Sequence, residues 1–206
     1  MNSIQIPDPE EFCRGLEAFE RNEKRGYVYF EALDHISEFW GNSGSMAKGI
    51  SRLIRSWNRF YANFDLERLA NCIDINLPPI NEFRNRNINS LSSDDSEEIR
   101  QIFNQFLDAL KRRSDNQKSA VSVAKAFGLL APEFLPIWDS TIAWRYDCLY
   151  GIVELAAPKY VTFCWKMKEI SEKVRDYECV RNPNPKRSLL KMIDEYNYSK
   201  FTREWI

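Results

Sequence analysis

Two lysines and an aspartate stand at spacings that could do chemistry. Lys118 opens a helical stretch just after a short polar turn, and Lys125 follows seven residues on, about two turns along the same face. Beyond a loop bounded by Pro132 and Pro136, Asp139 stands at the head of the next helical stretch. A fixed carboxylate stabilises positive charge as it develops, and a neutral amine is a nucleophile that forms Schiff bases. An ordinary lysine has a pKa of about 10.4, so deprotonation at pH 7 costs about 4.6 kcal/mol. A helix N-terminus returns only about 0.3–1 kcal/mol, whereas burial lowers a lysine pKa by up to about 3–5 units. The chemistry therefore asks for a closed cleft. The residues between the two lysines are mostly small, which lets DNA or a neighbouring helix approach closely.

Other machinery is poorly supported. His35 is the single histidine, which argues against histidine-rich metal sites and most Ser-His-Asp or Cys-His arrangements. The five cysteines are odd in number and contain no CxxC, so they read as buried or free thiols in a reducing compartment rather than as a disulfide framework, zinc ribbon or iron–sulfur ligand set. No glycine-rich phosphate loop occurs among the seven glycines. Carboxylates, lysines and hydroxyls are left, with neither metal nor cofactor expected.

Helical periodicity dominates and strand-like alternation is almost absent, which predicts an all-α fold. The 206 residues, 44% apolar and 14% aromatic, suffice for one domain with a substantial core. It is expected as two helical lobes around a cleft, one formed by about 1–80 plus the C-terminal helices and the other by about 90–150. The spacing predicts helices from about Asp8 to Lys24, Tyr27 to Trp40, Ser45 to Phe64, Asp65 to Ile73, Asp94 to Arg113, Gln117 to Leu130, Asp139 to Tyr150, Pro158 to Tyr177 and Arg187 to Tyr198. The stretch from Pro78-Pro79 to Asn89 reads as the linker between lobes. Residues 41–128 carry thirteen lysines and arginines against ten acids, so the middle is basic although the chain's net charge is −1. Its cations cluster at Lys111, Arg112 and Arg113, and along Lys48, Arg52, Arg55 and Arg59. A mean hydropathy of −0.51, an acidic, proline-bearing start and the lack of a long apolar run predict a soluble, cytoplasmic monomer without a membrane span.

The order helix, hairpin, lysine helix, loop, aspartate helix resembles the helix-hairpin-helix DNA glycosylase superfamily. Within it, the run from Lys118 to Lys125 (Lys-Ser-Ala-Val-Ser-Val-Ala-Lys) is most similar to the archaeal 8-oxoguanine DNA glycosylase group. The likeness covers about residues 108–145. It implies a helix-hairpin-helix element gripping double-stranded DNA and excision of a flipped base by N-glycosidic bond cleavage. Lys118 and Asp139 would be catalytic, with Lys111, Arg112, Arg113 and Lys125 on the DNA. The substrate it implies is an oxidised purine in repair, or a hypermodified phage base in antiviral defence. An associated lyase activity would follow from attack by the lysine. A flipped base needs aromatic walls, for which Trp40, Trp57, Trp138 and Trp144 are candidates, Trp40 and Trp144 being taken for the base pocket. The hairpin from Lys111 to Gln117 lacks the family's usual glycines, so its turn must be built another way.

Plainer readings stand beside these. Asp139 followed by Ser-Thr is a good helix N-cap, Lys118 alone is a solvated first-turn lysine, and the arginine stripe is a solvated face. His35 is structural and Trp138 packs behind Asp139. The alternative functions are a non-catalytic helical DNA-binding protein and a helical protein–protein adaptor with the lysines on its surface.

Overall fold

The computed structural model describes residues 5–181 and 186–206; the first four residues of the acidic start lie outside them. Ten α-helices run through the described residues: α1 (Pro9–Asn22), α2 (Tyr27–Glu38), α3 (Ser43–Trp57), α4 (Leu66–Arg84), α5 (Asp95–Ala109), α6 (Ala120–Leu130), α7 (Ser140–Arg145), α8 (Ala156–Val174), α9 (Glu178–Arg181) and α10 (Leu189–Asn197). The fold is all-α; an isolated antiparallel bridge joins Phe64 to Arg112.

Local chemistry explains most helix starts. Asp8, Asn42, Asp65, Ser119, Asp139 and Ser188 each accept a backbone N–H from the first turn of the helix they precede. Gly41 ends the α2 region with φ +87°, a conformation open to glycine at little cost. The middle of the fold is α6, whose residues are all buried except Val121. Helices α2, α3 and α5 pack around it. The small residues of this helix thus admit neighbouring helices. Gly128 is the closest approach: a Cβ there would lie 2.3 Å from Cγ1 of Ile137. Tyr29 crosses from α2 to donate to the Gly128 carbonyl at 3.0 Å.

Several expectations need correction. The supposed linker from Pro78 to Asn89 is largely helix, because α4 runs unbroken through Pro78 and Pro79 to Arg84. The carbonyls those prolines leave without donors belong to Asp74 and Ile75, both exposed, so water can satisfy them. Leu69, Ile73, Ile80 and Phe83 pin both halves of the helix to the core. The third helix stops at Trp57 instead of Phe64, and Phe60, within the stretch expected to be helical, is 63% exposed. The helix after Asp139 has six residues, ending at Arg145.

The cysteine reading is also overturned in part. Cys13 of α1 and Cys179 of α9 form a disulfide with Cα atoms 5.8 Å apart. Their 166-residue separation hid the pairing, which arises only once α1 and the chain after α8 are packed together. Cys72, Cys148 and Cys164 are buried thiols. Among the described residues no helix is long and apolar enough to cross a membrane, and no cluster of His, Cys, Asp and Glu is arranged to hold a metal ion.

Candidate active-site cleft

One cleft gathers charged and aromatic side chains from distant parts of the chain. Phe19, Glu23, Arg25, Trp57, Lys125, Trp138, Asp139, Asp194 and Tyr198 are on its walls, and with its open mouth it encloses about 430 Å³. The room left between the walls themselves is about 50 Å³, enough for a few waters, so a larger ligand has to widen the cleft.

Lys125 enters from α6, a helix otherwise made of core. Its side chain is long enough to bring the ammonium out of the apolar interior, and the residue is only 7% exposed. Nζ donates to the carbonyl of Trp57 at 2.8 Å. That carbonyl belongs to the last residue of α3, where helix carbonyls lack internal donors and the dipole favours a cation. Asn58 fastens the same junction by donating to Ser119 Oγ at 3.0 Å and Ser122 Oγ at 2.8 Å. Burial brings the Lys125 pKa down to about 8; Asp139 and Asp194 pull the other way, while Arg25 and Lys191 add to the lowering.

Asp139 combines two jobs. As N-cap of α7, its Oδ1 accepts from the backbone N–H of Ile142 at 2.8 Å, while Oδ2 accepts from the Thr202 hydroxyl at 2.7 Å. The carboxylate is thus fixed from two sides without losing its place on the cleft wall. Trp138, fully buried beside it, donates its indole N–H to the Ala120 carbonyl at 3.3 Å. This ties the Asp139 loop to the start of α6.

Behind the cleft lies a charge cluster that sequence reasoning missed. On α10, Lys191 Nζ is 2.6 Å from Asp194 Oδ2 and 3.5 Å from Glu195 Oε1. Glu195 also pairs with Arg187. The Lys191 ammonium sits 4.7 Å from the Phe19 ring centroid, 5.0 Å from Trp57 and 5.2 Å from Tyr29. Burial raises the Asp194 pKa although Lys191 opposes it. One signal was available in the sequence. The apolar residues Leu190, Met192, Ile193 and Tyr196 interleave so closely with Lys191, Asp194 and Glu195 that no face of the helix is left for the charges. At the rim, burial acts upward on Glu23, yet hydrogen bonds from Arg25 and Tyr198 hold its carboxyl below the usual range.

The residues singled out from sequence divide between this cleft and other places. Lys125 and Asp139 share the cleft, as do Trp57 and Trp138. Lys118 does not line it. Its Nζ pairs with Asp108 Oδ1 at 2.8 Å, and it faces a separate, open concavity of about 550 Å³ with Tyr61, Asn116, Gln117 and Glu154. Trp40 donates to Asn81 Oδ1 at 2.8 Å and lies under the Arg84 guanidinium at 4.0 Å, while Trp144 is 58% exposed on α7. His35 is placed by a 3.1 Å contact with the Ser45 carbonyl.

The segment from Lys111 to Gln117 makes its turn without glycine. Asn116 takes φ +57°, a region that asparagine tolerates, and its N–H donates to the Arg112 carbonyl at 2.9 Å. Arg112 is spent within the turn: it pairs with Asp115 and lies 3.9 Å from the Phe60 ring centroid. Arg113 pairs with Asp65 at 3.0 Å but remains largely exposed, and the Lys111 carbonyl accepts from Arg68 at 2.9 Å. On α3, Lys48, Arg52 and Arg55 are exposed, with Arg52 paired to Glu31 at 2.6 Å.

No protein-family model matches this chain, and no curated protein or solved structure does either.

Proposed function

We propose that the protein is a DNA glycosylase that flips out a modified base and releases it by cleaving the N-glycosidic bond. One observation carries this reading: a buried lysine and a doubly anchored aspartate, from two successive helices, share an aromatic-walled cleft. Breaking the bond builds positive charge on the sugar, and Asp139 supplies the carboxylate that stabilises it. Trp57 and Tyr198, the partly exposed aromatic walls of the cleft, are the rings on which an extruded base would stack. The amine assigned to the site is Lys125, and Lys118, on the turn side, is left to the DNA backbone with Arg113. The base is an oxidised purine or a hypermodified phage base. A panel of duplexes carrying 8-oxoguanine, uracil, 3-methyladenine or glucosylated hydroxymethylcytosine tests the reading. Release of one of these by the wild type and its loss in Asp139→Asn support it; release from none of them removes it.

The exposed cations of α3 favour a second reading, a non-catalytic DNA-binding protein. It predicts salt-sensitive duplex binding that Asp139→Asn leaves intact, with no base released.

A further inference from the structure

We propose that Lys125 is the proton donor of the reaction: its ammonium, held by the Trp57 carbonyl in the cleft it shares with Asp139, protonates the base as it departs. This rests on the base-excision reading above. An amine that attacks carbon must first be neutral, and two features of the Lys125 surroundings favour the ammonium against the burial that lowers its pKa. Its hydrogen-bond partner is a carbonyl at a helix C-terminus, which attracts cations. Two carboxylates, Asp139 and Asp194, share its cleft. Hydrogen bonding to a carbonyl occupies one of the ammonium's three donors and leaves others for a ligand.

Charge reaches this neighbourhood from several packed elements. Glu23 and Arg25 come from the link between α1 and α2, Asp139 from the head of α7, Arg187 from the lead into α10, and Lys191, Asp194 and Glu195 from α10 itself. Together with Lys125 they make four cations and four anions. Passing one proton from Lys125 to the base leaves the group one negative charge in excess. That excess matches the positive charge left on the sugar. A pKa near 8 also suits the task, since a general acid works best close to the operating pH.

The C1′–N bond breaks and its electron pair goes to the base nitrogen, while Lys125 gives a proton to the base and becomes a neutral amine. Water adds to C1′, and the proton it sheds passes to the Lys125 amine, restoring the ammonium. Water and the modified nucleotide thus yield free base and an abasic site, with Asp139 unchanged throughout.

The test uses the full chain on a panel duplex whose base the wild type releases, under single-turnover conditions. Lys125→Arg keeps the positive charge but holds its proton too tightly to give it up, so release slows by about 10²–10⁴-fold. Lys125→Met slows it as much. The wild-type rate falls as the pH rises through about 8, and the variants lack that fall. Borohydride leaves no covalent DNA adduct on Lys125. Release by Lys125→Arg within tenfold of wild type overturns the assignment, and so does an adduct on Lys125. Should both variants fail to fold, a wild-type rate that stays flat from pH 6 to 9.5 overturns it equally. A wild type that frees no base from any duplex defeats the base-excision reading itself, which is a different result from a tolerant variant.

Discussion

Removing the Lys191 ammonium with Lys191→Met tests whether the charge cluster under the cleft is held together as described. Methionine keeps most of the side-chain length between Phe19, Tyr29 and Trp57, so the main loss is charge. Asp194 loses the partner 2.6 Å away, and Glu195 keeps Arg187. Lys191 is 1% exposed, and removing one member of a buried ion pair costs about 3–5 kcal/mol because the other charge stays buried. In a chain of this size 1 kcal/mol shifts the melting temperature by about 2–4 °C, so the melting point should drop by about 6–20 °C. The pH dependence carries a sign. The folded-state pKa of Asp194 is raised by burial, so the folded protein holds that proton more tightly than the unfolded chain does. Stability is therefore gained as the pH falls through the folded pKa, and without Lys191 that pKa rises further. The deficit of Lys191→Met should narrow from pH 7 to pH 5, and the added change Asp194→Asn should recover much of it. Urea titrations of the three proteins at both pH values measure this. A loss below about 1 kcal/mol at pH 7, or a deficit that does not change with pH, refutes the reasoning.

Three further outcomes are expected. Gly128→Ala forces a methyl group to within 2.3 Å of Ile137 and should cost about 1–3 kcal/mol in urea unfolding, part of which Ile137→Ala restores. Opening the Cys13–Cys179 disulfide, by reductant or by Cys13→Ala with Cys179→Ala, should lower stability by about 2–5 kcal/mol, read as a shift of the thermal midpoint. The folded pKa of Lys125, about 8, lies below its unfolded value near 10.4, so burying its ammonium costs stability at neutral pH, and that cost fades as the pH rises between the two. Lys125→Met should accordingly match or exceed the wild type in stability at pH 7, by up to about 3 kcal/mol, and lose that advantage near pH 10.

The fold class and most helix starts were legible because they depend on local chemistry. Asp139 illustrates this: an Asp-Ser-Thr run names its own N-cap, and the structure has it. Pro78 and Pro79 misled for the opposite reason. Their local preference for breaking a helix is outweighed by tertiary burial of Ile73, Ile80 and Phe83 on either side. The amphipathic reading of the third helix overran at Trp57, since Phe60 is held outside the core by the Arg112 turn. In the candidate site, sequence spacing placed Lys118 and Lys125 on one helical face, but it could not say which lysine faces a cleft. Lys118 precedes the N-cap Ser119 and swings to Asp108, whereas Lys125 lies a turn and a half inside a buried helix and reaches the end of α3. Asp194, Lys191 and Arg25 escaped notice because their roles arise from contacts between α10, α3 and the link after α1. The crowded pattern of α10 marks its charges as buried, but no local pattern encodes which partners they meet.

The most direct test of the cleft is base release by Asp139→Asn beside Lys118→Gln, on a duplex that the wild type processes. Asparagine still caps α7 through its oxygen, and its amide N–H can donate to the Thr202 hydroxyl once that hydroxyl turns, so the variant keeps its fold and loses the charge. The cleft assignment predicts that Asp139→Asn slows release by at least about 10²-fold, while Lys118→Gln stays within tenfold of wild type. Full activity in Asp139→Asn, or release that depends on Lys118 and not on Asp139, would contradict it.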